Sequence, residues 1–251
     1  MISAILLAGG KSLRMGRDKA FLEYDLASFV YRIASEMLKI SDDLMVVIGK
    51  KDKIQFERAL EGLKGDGAEY SLDKRLRILN DQYDLQNPLG GMLTGFVNAR
   101  NHYTAIVGCD MPLIKSNVFE YLYSHIFGYD CCIPINEENQ NVEPLCSVYN
   151  VKRSIQASLL AIEDGKVGPK HFVSYLSRVY YVPISKIRVI DPNLDSIVNI
   201  NYPMEYEELL LRQRTRKDHG ESTRASQTVP VEPIIFSHHA ENSFEKNQQI
   251  D

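Results

Sequence analysis

Gly9 and Gly10 stand at the end of a short apolar run, Ile5-Leu6-Leu7-Ala8, and Lys11, Arg14, Arg17 and Lys19 follow closely. Two adjacent residues without Cβ let backbone N–H groups turn toward an anion and let a polyphosphate approach the main chain. The four cations supply countercharge for such a ligand. The same residues also fit a tight turn with solvated basic side chains, the better reading of the glycine pair alone. A carboxylate stands at a second apolar run: Tyr103 to Gly108 leads into Cys109-Asp110-Met111-Pro112. Asp110, with a proline fixing the turn, is placed to hold Mg2+ bridging phosphate oxygens. Its other reading is the cap of a helix starting near Ser116. Together these residues suggest chemistry at phosphorus.

The elements that would position them read as alternating strands and helices. Ile5 to Ala8 is too short for a helix and reads as the end of a parallel strand buried on both faces. Leu26 to Leu38 carries apolar residues at helical spacing, Leu44 to Ile48 is a strand, Asp52 to Leu63 a helix, and Gly62 to Lys74 a polar connection. Gly49, with Lys50 and Lys51, ends the second strand and faces the same crevice or forms a plain strand-to-helix turn. Arg75 to Leu79 is a strand that delivers Asn80-Asp81. Asn87-Pro88-Leu89-Gly90-Gly91 reads as a loop able to hold a flat base by main-chain groups, feeding a helix from Met92 to Ala99. Polar or glycine features thus recur at strand C-terminal ends. That pattern predicts an α/β fold, a Rossmann-like open, mostly parallel sheet flanked by helices, with one ligand crevice.

The second half is less regular. Cys131 to Ile135 and Leu145 to Tyr149 read as strands around a polar loop, Asn136 to Glu143. A helix follows from Val151 to Ile162, broken by Gly165 to Lys170 before further helix to Leu176. Lys166 and Lys170 could meet an acceptor phosphate or be ordinary surface lysines. Tyr180 to Ile184, Ile187 to Ile190 and Ile197 to Asn201 read as strands. In the last, Asn199 and Asn201 would point their amides to one side, completing a metal or phosphate shell or satisfying a turn before Pro203.

Composition narrows the function classes. A chain of 251 residues can bury a full core, and its net charge of -4 argues against nonspecific nucleic-acid binding. No signal-peptide order opens the chain and no apolar run approaches the ~18 residues of a membrane span, so a cytoplasmic protein without membrane contact is expected. Cys109, Cys131, Cys132 and Cys146 form no C-x-x-C pair and read as inert buried thiols. Residues 212–251 are polar, with a brief apolar patch at Val229 to Phe236 and a His238-His239 pair lacking matching ligands, and read as a disordered extension.

Neither a Walker A loop nor a dinucleotide fingerprint fits the first loop, since Ile5 stands where the former needs glycine and Lys11 and Ser12 where the latter does. Leu7-Ala8-Gly9-Gly10-Lys11-Ser12-Leu13-Arg14-Met15-Gly16-Arg17-Asp18-Lys19 resembles instead the signature of the molybdenum cofactor guanylyltransferase family, L-A-G-G-x-S-x-R-M-G-x-D-K. The resemblance continues in Asn87 to Leu93 with Asp81 upstream, in Cys109 to Pro112, in Glu143-Pro144-Leu145 and in Ile197 to Leu209. It covers residues 2 to about 211. Asn87 and Gly90 depart from the base segment, Tyr202 replaces a usual threonine, and the arginines the family often places near Lys166 and Lys170 are absent.

The resemblance implies a nucleotide-diphospho-sugar transferase type of fold, with residues 1–211 as a nucleotidyltransferase domain, 1–115 its nucleotide half and 116–211 its acceptor half. It implies transfer of GMP from GTP to molybdenum-molybdopterin with release of pyrophosphate, and Mg2+ on Asp110. On that reading Gly9 and Gly10 cradle phosphates, Leu7 and Ala8 bind the nucleotide beside them, and Arg14 and Lys19 neutralise the leaving pyrophosphate. Asp81, Pro88, Leu89, Gly90 and Gly91 line the nucleoside, Gly49 binds the nucleotide, and Asn199 and Asn201 complete the metal shell; Lys166 and Lys170 as acceptor contacts come from the residues themselves and not from the resemblance. A molybdenum-insertion protein or a recipient molybdoenzyme would be the protein partner. A cytidylyl counterpart, a sugar-phosphate nucleotidyltransferase and a noncatalytic nucleotide-binding adaptor are the rivals.

Overall fold

The computed structural model describes residues 1–63, 73–83, 85 and 87–218. Strand β1, Ile2–Leu7, is buried along its whole length and lies between two parallel neighbours, β4 (Ser41–Ile48) and β6 (Tyr103–Gly108). β5, Leu76–Asn80, adds in parallel outside β4. Beyond β6 the direction changes: β8 (Cys146–Asn150) is antiparallel to both β6 and β7 (Cys131–Ile135), and the edge strand β9 (Val179–Pro183) runs parallel to β7. The resulting seven-stranded order is β5-β4-β1-β6-β8-β7-β9. The expected mostly parallel, helix-flanked α/β sheet is therefore the fold.

Alternate residues of each central strand feed opposite faces. Ala4, Leu6, Leu44, Val46, Ala105 and Val107 pack with residues from α1 (Phe29–Met37), α2 (Lys53–Ala59), α4 (Ser116–His125) and α7 (Ile184–Ile190). Ile5, Leu7, Met45, Val47 and Ile106 pack with those from α3 (Pro88–Asn98), α5 (Val151–Glu163) and α6 (Pro169–Val173). Burial on both sides is why these strands read as continuous apolar runs. α3 sits especially low on the sheet, because a Cβ on Gly95 would lie 2.5 Å from Ile5 Cδ1.

A third apolar cluster positions the site. Met15, Leu22, Tyr24 and Phe29 from the N-terminal segment meet Ile200, Tyr206 and Leu209, the last two on α8 (Pro203–Asp218). A small hairpin, β2 (Glu23–Tyr24) and β3 (Ala27–Ser28), lies within this segment, with Asp25 and Leu26 at positive φ in its turn. That hairpin occupies the start of the expected Leu26 to Leu38 helix, which begins only at Phe29.

Other expectations are also corrected. Ile187 to Ile190 is helix rather than strand: Ile184, Ile187 and Ile190 recur at a spacing of one helical turn, and the β-branched composition masked that period. Ile197 to Asn201 is not a strand; a short 3-10 turn spans Asp195–Ile197, and Ile200 N–H donates to the Asp110 carbonyl at 2.8 Å instead of to a ladder. Pro88 to Gly91 is the first turn of α3 rather than a loop, with Pro88 at a permitted helix start and Asn87 Oδ1 accepting from Leu89 N–H at 2.9 Å. α8 runs past Arg212 to Asp218, through residues of good helix propensity that carry no apolar period. The His238-His239 pair, the patch at Val229 to Phe236 and most of the 62–74 connection lie outside the described residues.

Candidate active site

β1 delivers the loop from Ala8 to Lys19 between the ends of β4 and β6. Ala8 N–H donates to Val47 O at 2.8 Å, and Cys109 N–H donates to Leu7 O at 3.0 Å, so the three strand ends are in register where the chain leaves the sheet. Gly9 and Gly49 meet here backbone to backbone: a Cβ on Gly9 would stand 2.9 Å from Gly49 N, and one on Gly49 would stand 2.9 Å from Gly9 O. Their missing side chains are thus needed by each other. Gly10 differs, since a Cβ there would meet nothing within 4 Å, and its backbone is open to a ligand.

Beyond Gly10 the loop is held by its own turns and by α8. Ser12 (φ 49°) and Gly16 (φ 66°) are left-handed residues flanking the 3-10 turn Leu13–Met15. Ser12 Oγ accepts from Lys19 N–H at 3.1 Å, closing the loop on itself. Met15 is buried in the third cluster, while the neighbouring arginines lie over rings of the C-terminal segment, Arg14 at 5.5 Å from the Tyr202 centroid and Arg17 at 5.1 Å from that of Tyr206. Lys51 reaches across from the end of β4 to Asp18 Oδ2 at 2.6 Å. Asp18 in turn caps the 3-10 turn Lys19–Phe21 through Ala20 N–H at 3.1 Å.

Lys19 is the most enclosed of the four loop cations. Its side chain is only 12% exposed, its Nζ donates to Asn201 Oδ1 at 2.7 Å, and it stands 3.8 Å from Asp110 Oδ2. Asp110 lies at the end of β6, in the turn where Met111 N–H donates to Gly108 O at 3.2 Å. It does not cap α4, whose N-cap is Lys115. Burial pushes the Asp110 carboxyl above the usual carboxylate range, and the Lys19 ammonium only partly offsets this. An ionised carboxylate so placed gains from a further cation. No cluster of three or more His, Cys, Asp or Glu side chains capable of holding a metal occurs among the described residues. The Asp110 carboxylate offers an oxygen donor of the kind that suits an ion such as Mg2+, which takes one or two protein oxygens and completes its shell with phosphate oxygens and water.

Asp81 follows β5 and organises the start of α3. Its Oδ1 accepts from Tyr83 N–H and from Thr94 Oγ1, each at 2.9 Å. Gly90 packs against this turn, since a Cβ there would lie 2.7 Å from Tyr83 O and 3.0 Å from Asp81 Oδ2, and Gly91 packs against Leu7 Cδ2 at 3.0 Å. Leu89, Gly90 and Gly91 are buried, and Pro88 is exposed. Gly90 and Gly91 accordingly let the helix approach Asp81 and β1 closely.

On the other side, the loop between β7 and β8 carries Glu143. Burial raises its pKa, and the Lys170 ammonium and the Asn199 amide, which donates to its carboxylate, work in the opposite direction. Lys170 Nζ donates to Asn141 Oδ1 at 3.0 Å, whereas Lys166 is exposed in the turn before α6. Asn199 and Asn201 thus part company: one amide serves Glu143, the other Lys19. The residues missed by sequence reasoning are Glu205, Lys51 with Asp18, and Glu143 as an individual side chain. Lys51 showed only as one of a basic pair at a strand end, Asp18 and Glu143 only as members of longer motifs, and Glu205 as a carboxylate in the first turn of a helix beginning at proline.

Its family and its curated relatives make this chain a nucleotidyltransferase. Residues 4–179 match the MobA-like NTP transferase domain family, and the chain belongs to that family. It is 32% identical over 213 residues to a probable molybdenum cofactor guanylyltransferase of Methanosarcina acetivorans, covering 83% of this chain and 89% of the relative. A probable molybdenum cofactor guanylyltransferase of Clostridium perfringens strain 13 is 29% identical over 213 residues, with 84% and 97% covered. Among solved structures, molybdopterin-guanine dinucleotide biosynthesis protein A of Archaeoglobus fulgidus superposes with a TM-score of 0.67 at 20% identity, over 85% of this chain and 100% of that one. The 4-diphosphocytidyl-2C-methyl-D-erythritol synthase of Anaerococcus prevotii superposes at 0.61 with 12% identity, over 85% and 96%. At these identities the two structures support the fold alone.

Proposed function

We propose that the protein transfers GMP from GTP to the terminal phosphate of molybdenum-molybdopterin, releasing pyrophosphate. The observation that carries this reading is the Lys19 ammonium, enclosed between Asn201 and Asp110 beside a glycine loop whose Gly10 backbone is open. The curated relatives named molybdenum cofactor guanylyltransferase supply the choice of base and acceptor. In the reaction an acceptor phosphate oxygen forms a bond to the α-phosphorus of GTP, and the bond from that phosphorus to the bridging oxygen of pyrophosphate breaks. Catalysis at such a centre is mostly positioning and charge stabilisation.

The Gly10 N–H and the Lys19 ammonium bind the phosphates, with Lys19 held in place by the Asn201 amide. Mg2+, when bound with the nucleotide at Asp110, supplies charge neutralisation at the phosphate oxygens. Asp81 orders the turn beside the nucleoside, and Arg14, stacked on Tyr202, lends countercharge at the rim of the loop. Lys170, beside Glu143 and Asn141, receives the acceptor, with Lys166 in the adjoining turn. Hand-over of the product to a recipient molybdoenzyme is the protein contact this reading expects.

The test is pyrophosphate release by the purified protein with Mg2+ and molybdenum-loaded molybdopterin, offering GTP, CTP, ATP and UTP in turn. Release with GTP alone is expected. Release with CTP alone would assign the cytidylyl reaction, and silence with all four would overturn the proposal.

A further inference from the structure

We infer that Glu205, in the first turn of α8, is a positioning residue that sets the phosphate-facing lysine through Asn201. The inference rests on the reading of Lys19 as the residue that meets the nucleotide phosphates. A single carboxylate oxygen, Glu205 Oε2, accepts from two successive amides, Asn201 N–H at 2.5 Å and Tyr202 N–H at 3.0 Å. Tyr202, with its only side-chain oxygen at the far end of a ring, cannot cap its own helix as a short hydroxyl or amide side chain would. The cap therefore falls to Glu205, a carboxylate favoured at a helix N-terminus.

What the cap holds is the backbone of Asn201, whose Oδ1 accepts from Lys19 Nζ at 2.7 Å. Immediately before it, Ile200 N–H donates to the Asp110 carbonyl at 2.8 Å. Asn201 is thus pinned on its N-terminal side to the backbone of the carboxylate residue and on its C-terminal side to Glu205. Its amide reaches Lys19 from a fixed point, and the lysine stays 3.8 Å from Asp110 Oδ2 rather than closing on it as a tight ion pair. That separation leaves Lys19 hydrogens for a phosphate. Without Glu205 the amides of Asn201 and Tyr202 lose their acceptor, the Asn201 side chain loses its fixed origin, and Lys19 is no longer held.

The experiment measures the rate at which Lys19 is acylated by acetic anhydride, read by mass spectrometry on the folded, nucleotide-free protein, alongside pyrophosphate release with GTP. In Glu205→Ala, acylation of Lys19 is expected to rise by at least about 3-fold. The same variant should lose on the order of 10- to 100-fold in kcat, the scale of a group misplaced by about an ångström. Glu205→Gln, which keeps an acceptor oxygen, should recover most of both losses. The deciding comparison is Asn201→Ala with and without Glu205→Ala: if Glu205 acts through Asn201, the double variant labels no faster and turns over no slower than Asn201→Ala alone, although its melting temperature still falls. Unchanged labelling in Glu205→Ala, or a further loss of turnover in the double variant, would overturn the inference, because a cap that only stabilises α8 moves melting without moving Lys19. Glu205→Leu, of similar bulk, replaces the alanine variant should that fail to fold. Wild-type silence with every nucleotide would instead refute the proposed reaction, while the labelling result would still decide the role of Glu205.

Discussion

Gly108 provides a test of the site that changes no polar group. It ends β6, is buried, and has an ordinary strand φ, so alanine is conformationally allowed there. The obstacle is steric: the added Cβ would lie 2.5 Å from Asp110 Oδ1, against about 3.4 Å for an ordinary contact. The carboxylate must move by about 0.9 Å to restore van der Waals distance. A misplacement of about 1 Å in a positioning group costs on the order of 100-fold in rate, equivalent to about 2.7 kcal/mol of transition-state stabilisation. Steady-state pyrophosphate release by Gly108→Ala with GTP, Mg2+ and acceptor should therefore show a kcat reduced by roughly 100-fold. A near-native circular dichroism spectrum and cooperative melting would show that the sheet survives. A folded variant keeping more than half of the wild-type kcat would refute the claim that the Asp110 carboxylate must sit where it does.

Lys19→Ala should abolish turnover while the fold persists, because its loop is anchored independently by Met15; a purified variant with near-normal pyrophosphate release would remove Lys19 from the mechanism. Asp110→Asn should also be inactive, yet as stable as the wild type or more so near pH 7: a carboxyl whose folded pKa lies above its unfolded one penalises the ionised native state above that folded pKa, and the penalty fades as pH falls through it. Melting curves of both proteins between pH 4 and pH 8 check this, and an advantage for the variant that grows toward acid pH would contradict it. Gly95→Ala should destabilise by about 1–3 kcal/mol in urea unfolding, since its Cβ would overlap three atoms of buried Ile5; an unchanged midpoint would show that α3 can lift off the sheet. Cys109 and Cys132, whose thiols burial pushes up to about 12, should resist iodoacetamide at pH 8 in the native protein and react on unfolding.

The parts of the fold legible in the sequence are those where one strand suffices to define its surroundings. β1, β4 and β6 are flanked by strands and covered on both faces, so their apolar runs and the polar residues at their ends announce themselves. The position of β8 between β6 and β7 is different, because pairing between distant strands leaves no local periodicity. α7 and the segment from Ile197 to Asn201 were obscured by β-branched residues that pack at helical spacing or follow a backbone bond to Asp110. The cationic loop misleads in another way. Its conspicuous arginines, Arg14 and Arg17, stand exposed over Tyr202 and Tyr206, whereas the enclosed cation is Lys19, and what encloses it comes from 182 positions away at Asn201.

That distance bears on how the chain can be divided. The sequence suggests a boundary near residue 115, with the glycine loop, Asp81 and Asp110 before it and an acceptor half after it, and the strand directions change beyond β6 in the sheet. The site ignores the boundary. Met15 needs Ile200, Tyr206 and Leu209 to be buried, the Asp110 carbonyl needs the Ile200 amide, and Lys19 needs Asn201. Residues 1–115 alone would leave an apolar loop anchor in water and a lysine with one partner, Asp110, at the distance where the phosphate should come between them. The enclosure of Lys19 is accordingly a property of the strand ends on both sides of that point plus the start of α8, and residues near position 200 complete the first loop.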